Sequence, residues 1–122
     1  MNNDIIIGID LAKNVFQLHG AQRDGQVLFR KKLSRPQFAK FCAEQSPCLI
    51  AMEACGGAHY WARELLALGH SVRLLHAKIV RPFVSGNKTD VTDARGIWLA
   101  IQQPGVKFVG IKSVTQQATL TL

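Results

Sequence analysis

The sequence predicts an α/β domain: a mixed sheet, made of an antiparallel three-stranded meander plus parallel strands, with helices on both faces. Three observations carry this. Short β-branched or apolar runs at 4–9, 48–52 and 71–75 alternate along the chain with stretches of helical spacing. The first three strand-like runs are joined by tight connections, one of them carrying the hairpin signal Asp24-Gly25. Finally, 122 residues with 48% hydrophobic and 19% charged content form one domain able to bury a core, not a disordered chain.

Taken in order, Asp4–Ile9 is the β-branched run of a buried central strand, and Asp10 follows at its end. Asn14–Gly20 alternates as a second strand, residues 21–25 turn, and Gln26–Leu33 forms a third that ends in Arg30-Lys31-Lys32. Ser34 is an N-cap, with Pro36 in the first turn of a helix running to about Glu44 and facing inward through Phe38, Phe41 and Cys42. Pro47 separates it from the buried strand Cys48–Met52, at whose end sits Glu53. Gly56-Gly57 turn the chain into a helix over 58–68 with Tyr60, Trp61, Leu65 and Leu68 as its apolar face, and Gly69 stops it.

Ser71–Leu75 is a further short strand. Residues 76–85 stay undecided between helix and loop because Pro82 interrupts them. Gly86–Thr89 is loop-forming and leads into a helix with Ala94, Ile97, Trp98 and Ile101 on one side. Pro104-Gly105 breaks it, 106–111 is strand or loop, and 113–122 opens a last helix.

The formal charge of +7 and pI near 9.8 favour a polyanionic partner, nucleic acid first. The three cysteines, Cys42, Cys48 and Cys55, show no C-x-x-C spacing and read as buried apolar residues of a reducing, cytoplasmic compartment. No run approaches the ~20 apolar residues that cross a bilayer.

Only eight residues are acidic, and their positions are informative. Asp90 and Asp93 stand three apart, on one face of the same helix. They serve either as first-turn acids favoured by the helix dipole or as cation ligands. Asp10 and Glu53 each end a central-type strand, and open α/β sheets build their sites at such carboxyl ends. Four carboxylates in one crevice repel one another without a cation, whereas oxygen ligands suit Mg²⁺ or Mn²⁺, as one ion or two. Lys13, Arg30, Lys31, Lys32, Lys78, Arg81 and Lys88 are candidate nucleic-acid contacts, with a solvated surface as the plain alternative. His59 reads as a surface residue near a helix start, and Trp61 and Trp98 as core.

Three segments, Gly8-Ile9-Asp10-Leu11-Ala12-Lys13, Met52-Glu53-Ala54-Cys55-Gly56-Gly57 and Asn87-Lys88-Thr89-Asp90-Val91-Thr92-Asp93-Ala94, carry a resemblance in order and spacing. They resemble the N-terminal domain of the DEDD transposases of bacterial insertion sequences, the "one-ten" type that includes the pilin-gene invertase. That resemblance implies a ribonuclease-H-like fold similar to the RuvC resolvase, with Asp10, Glu53, Asp90 and Asp93 as its four catalytic, metal-binding acids. It also implies Mg²⁺ or Mn²⁺, DNA as partner, a guide RNA encoded by the element, and a homo-oligomer of the full-length protein. Residues 1–112 are then the RuvC-like catalytic domain, and 113–122 the start of a helix leading to a C-terminal region with a nucleophilic serine.

The function expected from this is metal-dependent DNA strand cleavage and transfer in transposition or site-specific recombination, with the fragment inactive on its own. Two other readings stand beside it. One is an inactive remnant that binds nucleic acid. The other is an actin-like or sugar-kinase ATPase lobe, which also opens with a strand and Gly-Ile-Asp, although Leu11-Ala12-Lys13-Asn14 lacks the glycines of its phosphate hairpin.

Overall fold

The computed structural model describes residues 4–12, 14–84 and 90–120, with the backbone alone for 90, 91, 119 and 120. Strands β1 (Ile5–Leu11), β2 (Val15–Gln22) and β3 (Val27–Ser34) form the antiparallel meander. Strands β4 (Leu49–Glu53) and β5 (Ser71–Leu75) add in parallel on the other side of β1, giving the spatial order β3-β2-β1-β4-β5. The most apolar strand is thus the middle one, and its Ile6, Ile7 and Ile9 are fully buried. Asp10 does not follow β1 but lies inside it, paired with Gln17. The β2–β3 turn uses Gly25 at φ +99, and Asp24 Oδ1 accepts the Gln26 N–H at 2.9 Å.

One face of the sheet is covered by helices α1 (Arg35–Glu44) and α2 (Gly56–Ala67). Ser34 and Gln37 form a reciprocal capping box at the start of α1. Phe16 of β2, Phe38 of α1 and Trp61 of α2 meet edge to face, with centroids 4.8, 4.9 and 5.5 Å apart. His70 ties the far end together: Nε2 donates to the Cys42 carbonyl at 2.8 Å, and Nδ1 accepts the Cys48 N–H at 3.3 Å. Burial pushes the Cys42 and Cys48 thiols up to about 12 and about 11, so both stay protonated and inert.

Three details differ from the sequence reading here. The inner face of α2 is Ala58, His59, Ala62 and Leu65, while Tyr60 and Leu68 are 49% and 44% exposed. Small alanines on this face bring α2 close to the sheet, with Leu65 and Trp61 packed beside them and Tyr60 and Leu68 turned outward. For the same reason His59 is buried instead of on the surface, and Cys55, the α2 N-cap, is exposed instead of buried.

The other face is covered by α4 (Asp90–Ala100), reached through the short α3 (Ala77–Val80) and a 3₁₀ turn at Arg81–Phe83. Of the undecided 76–85 stretch, residues 77–83 are therefore helical, α then 3₁₀ at Pro82, with His76 as cap, and Ser85 lies outside the described residues. Close docking of α4 on β1 depends on Gly8. A Cβ there would lie 2.8 Å from Trp98 N and nearer still to Ala94 O, the two ends of one turn of helix backbone. Trp98 donates its Nε1–H to the Ala21 carbonyl at 3.2 Å and packs edge-on to His19 at 5.5 Å. Beyond α4, Val109 bonds the Leu74 carbonyl at 2.8 Å, so 106–111 is a loop with one bridge to β5. A capping box of Ser113 and Gln116 opens α5 (Val114–Leu120).

Two predictions follow from the α4 face. Gly8→Ala forces helix backbone off the sheet and is expected to cost about 1–3 kcal/mol or more, read as a lower urea midpoint. The second concerns His19, which is 2% exposed and has no hydrogen-bond partner at Nδ1 among the described residues. Burial first, then Arg30 and Arg95, lowers its pKa from 6.5 to about 4. Between those values the unfolded chain takes up a proton that the folded chain refuses, so stability is full above pH 6.5 and falls as pH drops toward 4. His19→Phe removes this dependence, on the order of 1–3 kcal/mol, from the difference between urea curves at pH 7 and pH 4.5.

Candidate active site

Two adjacent parallel strands bring the first two acids together. β1 and β4 pair Gly8 with Ala51 and Ile9 with Met52, so the next positions, Asp10 and Glu53, stand side by side. Neighbouring strands are about 4.8 Å apart. Side chains alternate along a strand, so Ile6, Gly8 and Asp10 share the α4 face with Leu49, Ala51 and Glu53. The apolar members of this set are buried under α4 or packed against it, and the acids come where the strands reach the rim.

The helix supplies the third. Its Ala94 backbone sits over Gly8, its C-terminal half packs toward Ile6, and its first turn therefore projects past Gly8 toward Asp10. Asp93 lies in that turn, half-buried, with Oδ1 screened from solvent. Asp10, Glu53 and Asp93 line one cleft of about 280 Å³, together with Ala77, Val80, Arg81, Val84 and Ile97. The Asp90 side chain is outside the described residues, although the backbone puts Asp90 in the same first turn of α4. Among the described residues no three acidic, His or Cys groups close tightly enough to cage an ion unaided. This is an open acidic cleft.

Its other wall depends on Gly96. A Cβ there would lie 2.9 Å from Val84 Cγ2 and 3.3 Å from the Phe83 carbonyl, so glycine lets the 3₁₀ turn rest against α4. That turn places Arg81 in the lining of the same cleft. Val80, Val84 and Ile97, which sequence reasoning did not select, give the cleft an apolar wall. Ordinary core spacing is their only sequence signal.

The other basic candidates separate. Arg30 and Lys32 pair with His19 and Gln17 and so lie on the α4 face, both exposed. Lys31 points to the opposite face, 5.9 and 5.7 Å from the centres of the Phe29 and Phe41 rings. Lys78 is exposed on α3, next to the cleft-lining Ala77. Lys13 and Lys88 lie outside the described residues.

The sheet order, the helices on both faces and the acids at the rim define a ribonuclease-H-like domain of the RuvC type. Thermus thermophilus RuvC, solved in complex with a Holliday junction substrate, superposes with a TM-score of 0.61 at 11% identity over 88% of this chain and 100% of its own. The chain belongs to the IS110-type DEDD transposase family, whose model ("Transposase") matches residues 7–118. It is 50% identical over 116 residues to a "Probable family 20 transposase" of Pseudomonas aeruginosa, covering 95% of this chain and 34% of that protein. It is 45% identical over 122 residues to the "Transposase for insertion sequence element IS1328" of Yersinia enterocolitica, covering 100% of this chain and 36% of that protein. The chain thus spans about a third of the length of the curated relatives it matches. Membership decides against the ATPase-lobe alternative. Among the described residues no helix is long and apolar enough to cross a membrane.

Proposed function

We propose that this chain is the catalytic domain of an insertion-sequence transposase that cuts and joins DNA strands with the help of Mg²⁺ or Mn²⁺. The observation that carries the reading is the convergence of Asp10, Glu53 and Asp93 on one cleft of a strongly basic chain. Asp90 completes the set as the fourth ligand.

The donor set suits the ion. Mg²⁺ keeps several waters and takes one or two carboxylates plus substrate phosphate, so an open cleft of hard oxygen donors fits it better than a closed cage. When bound there, a divalent cation supplies charge neutralisation at the scissile phosphate. The residues do the rest. Asp10 and Glu53 fix the geometry from two rigid, adjacent strands, and Asp93 closes it from α4. Arg81 meets a non-bridging phosphate oxygen in the same cleft. Val80, Val84 and Ile97 limit water on that side. Arg30 and Lys32 share the α4 face with the acids and form a track for the DNA backbone, with Lys78 next to the cleft-lining Ala77, while Lys31 faces away from it; Lys13 and Lys88 are further contacts expected on their charge alone.

Residues 1–112 form this domain, and 113–122 begin the helix that connects it to the rest of a longer, cytoplasmic protein. In that full-length context we expect a homo-oligomer, an element-encoded guide RNA and strand transfer. These residues alone bind DNA without turning it over.

Thermal melts test the ion and its ligands together. A ligand present at 100 times its Kd stabilises a fold by about 2.7 kcal/mol, so saturating Mn²⁺ should raise the Tm clearly. Asp10→Asn and Glu53→Gln should each abolish most of that rise, and an equal rise in both variants would contradict the proposal. For the DNA track, Arg81→Ala should weaken DNA binding and lower the slope of log affinity against log salt by about 1. An unchanged slope would remove Arg81 from the contact.

A further inference from the structure

A second cleft, of about 400 Å³, opens on the other side of the same sheet rim, lined by Ala54, Cys55, Gly56, His59, His76, Val109, Lys112 and Gln117. The two clefts have no lining residue in common, but residues adjacent in the chain line them. Glu53 lines the first and Cys55 the second, and Ala77 lines the first while its neighbour His76 lines the second. Two residues span at most ~7 Å, so these lining segments of the two clefts lie close together.

The glycines around this cleft have no steric or conformational reason among the described residues. Gly8, Gly20 and Gly96 are crowded positions, and Gly25, Gly69 and Gly105 have positive φ. Gly56, Gly57 and Gly110 are neither: their φ values are ordinary and a Cβ would meet nothing within 4 Å. All three belong to segments that border the second cleft. Gly56 and Gly57 are the first two residues of α2, a 12-residue helix, where glycine is a poor helix former and where N–H groups have no carbonyl partner within the helix. Glycine at such places lets a ligand approach the backbone closely.

A buried side chain points the same way. His59 is only 6% exposed, and its Nδ1 accepts the Lys112 N–H at 3.0 Å. The neutral ring therefore carries its proton on Nε2, and that N–H has no acceptor among the described residues. The small exposed part of His59 lines the cleft, with the Lys112 cation on the same wall. The donors here comprise helix N–H groups, the imidazoles of His59 and His76 and the Lys112 ammonium, and no carboxylate is among the described residues that line the cleft.

We propose that the second cleft binds a backbone phosphate of the DNA strand, next to the phosphate held in the acidic cleft. This rests on the nuclease reading above and adds to it a strand path over the sheet rim. The phosphate sits on the N–H groups of Gly56 and Gly57, His59 Nε2–H donates to one of its oxygens, and Lys112 neutralises it.

The test is an NMR titration of the 122-residue chain with a short single-stranded oligothymidylate, following backbone amides and the His59 ring. The Gly56 and Gly57 amides and His59 Nε2 should shift saturably, and Lys112→Met should weaken binding about tenfold. The decisive variant is the double change Gly56→Ala and Gly57→Ala. It clashes with nothing among the described residues and improves the helix, so it should raise Tm yet weaken binding. A double variant that is more stable and binds undiminished overturns the proposal. Shifts confined to residues around Asp10, Glu53 and Asp93 overturn the second cleft but leave the nuclease reading intact. No shift at either cleft removes both. Shifts at Gly56 and Gly57 with oligouridylate RNA but not with DNA overturn the assignment of the strand as DNA.

Discussion

The architecture depends on one close approach, α4 against β1 across Gly8. Helix backbone comes within van der Waals distance of strand backbone there because no Cβ intervenes. That contact fixes the height and tilt of α4. It buries Ala94, Ile97, Trp98 and Ile101 on that face of the sheet and projects the first turn of the helix over the strand ends. Sheet pairing sets the Asp10–Glu53 separation, and the Gly8 contact sets where Asp93 stands relative to both. Gly96 acts in the same way one layer out, admitting the turn that carries Arg81.

Electrostatics give this arrangement its meaning. A chain of formal charge +7 has few acids to distribute, yet three of its eight line a single cleft. Gathering like charges at a rim costs free energy in the empty protein. On the proposed reading, a bound cation and a phosphodiester offset that cost. The neighbouring cleft has the opposite character, with Lys112 and the head of α2 on its walls and no carboxylate among the described residues that line it. The rim thus presents an acidic and a donor-rich cleft side by side.

Much of this was legible in the sequence because local rules and the global fold agree. The isoleucine run of β1, the Asp24-Gly25 turn, the Ser34 cap with Pro36 and the Gly69 stop each specify their element without help from elsewhere. Asp10 and Glu53 were legible as strand-end acids, and the spacing of Asp90 and Asp93 put both in the first turn of α4. What was not legible arises from tertiary packing. Ala58, His59, Ala62 and Leu65 form the buried face of α2, with Trp61 at its edge, which leaves Tyr60 and Cys55 outside. Strand alternation separates Lys31 from Arg30 and Lys32, although the three read as one basic run. Val80, Val84 and Ile97 line the cleft only because the 3₁₀ turn folds back on Gly96.

The central claim is that acids from two strands and one helix hold a common divalent ion. A Mn²⁺ titration of the chain, read by paramagnetic broadening of its amide resonances and repeated with Asp10→Asn, tests it most directly. The account predicts broadening centred where the ends of β1 and β4 meet the first turn of α4, and markedly weaker in the variant. Broadening scattered over surface acids such as Asp24 and Glu64, or confined to the α4 turn and indifferent to Asp10, would contradict it and return Asp90 and Asp93 to the role of helix-start acids.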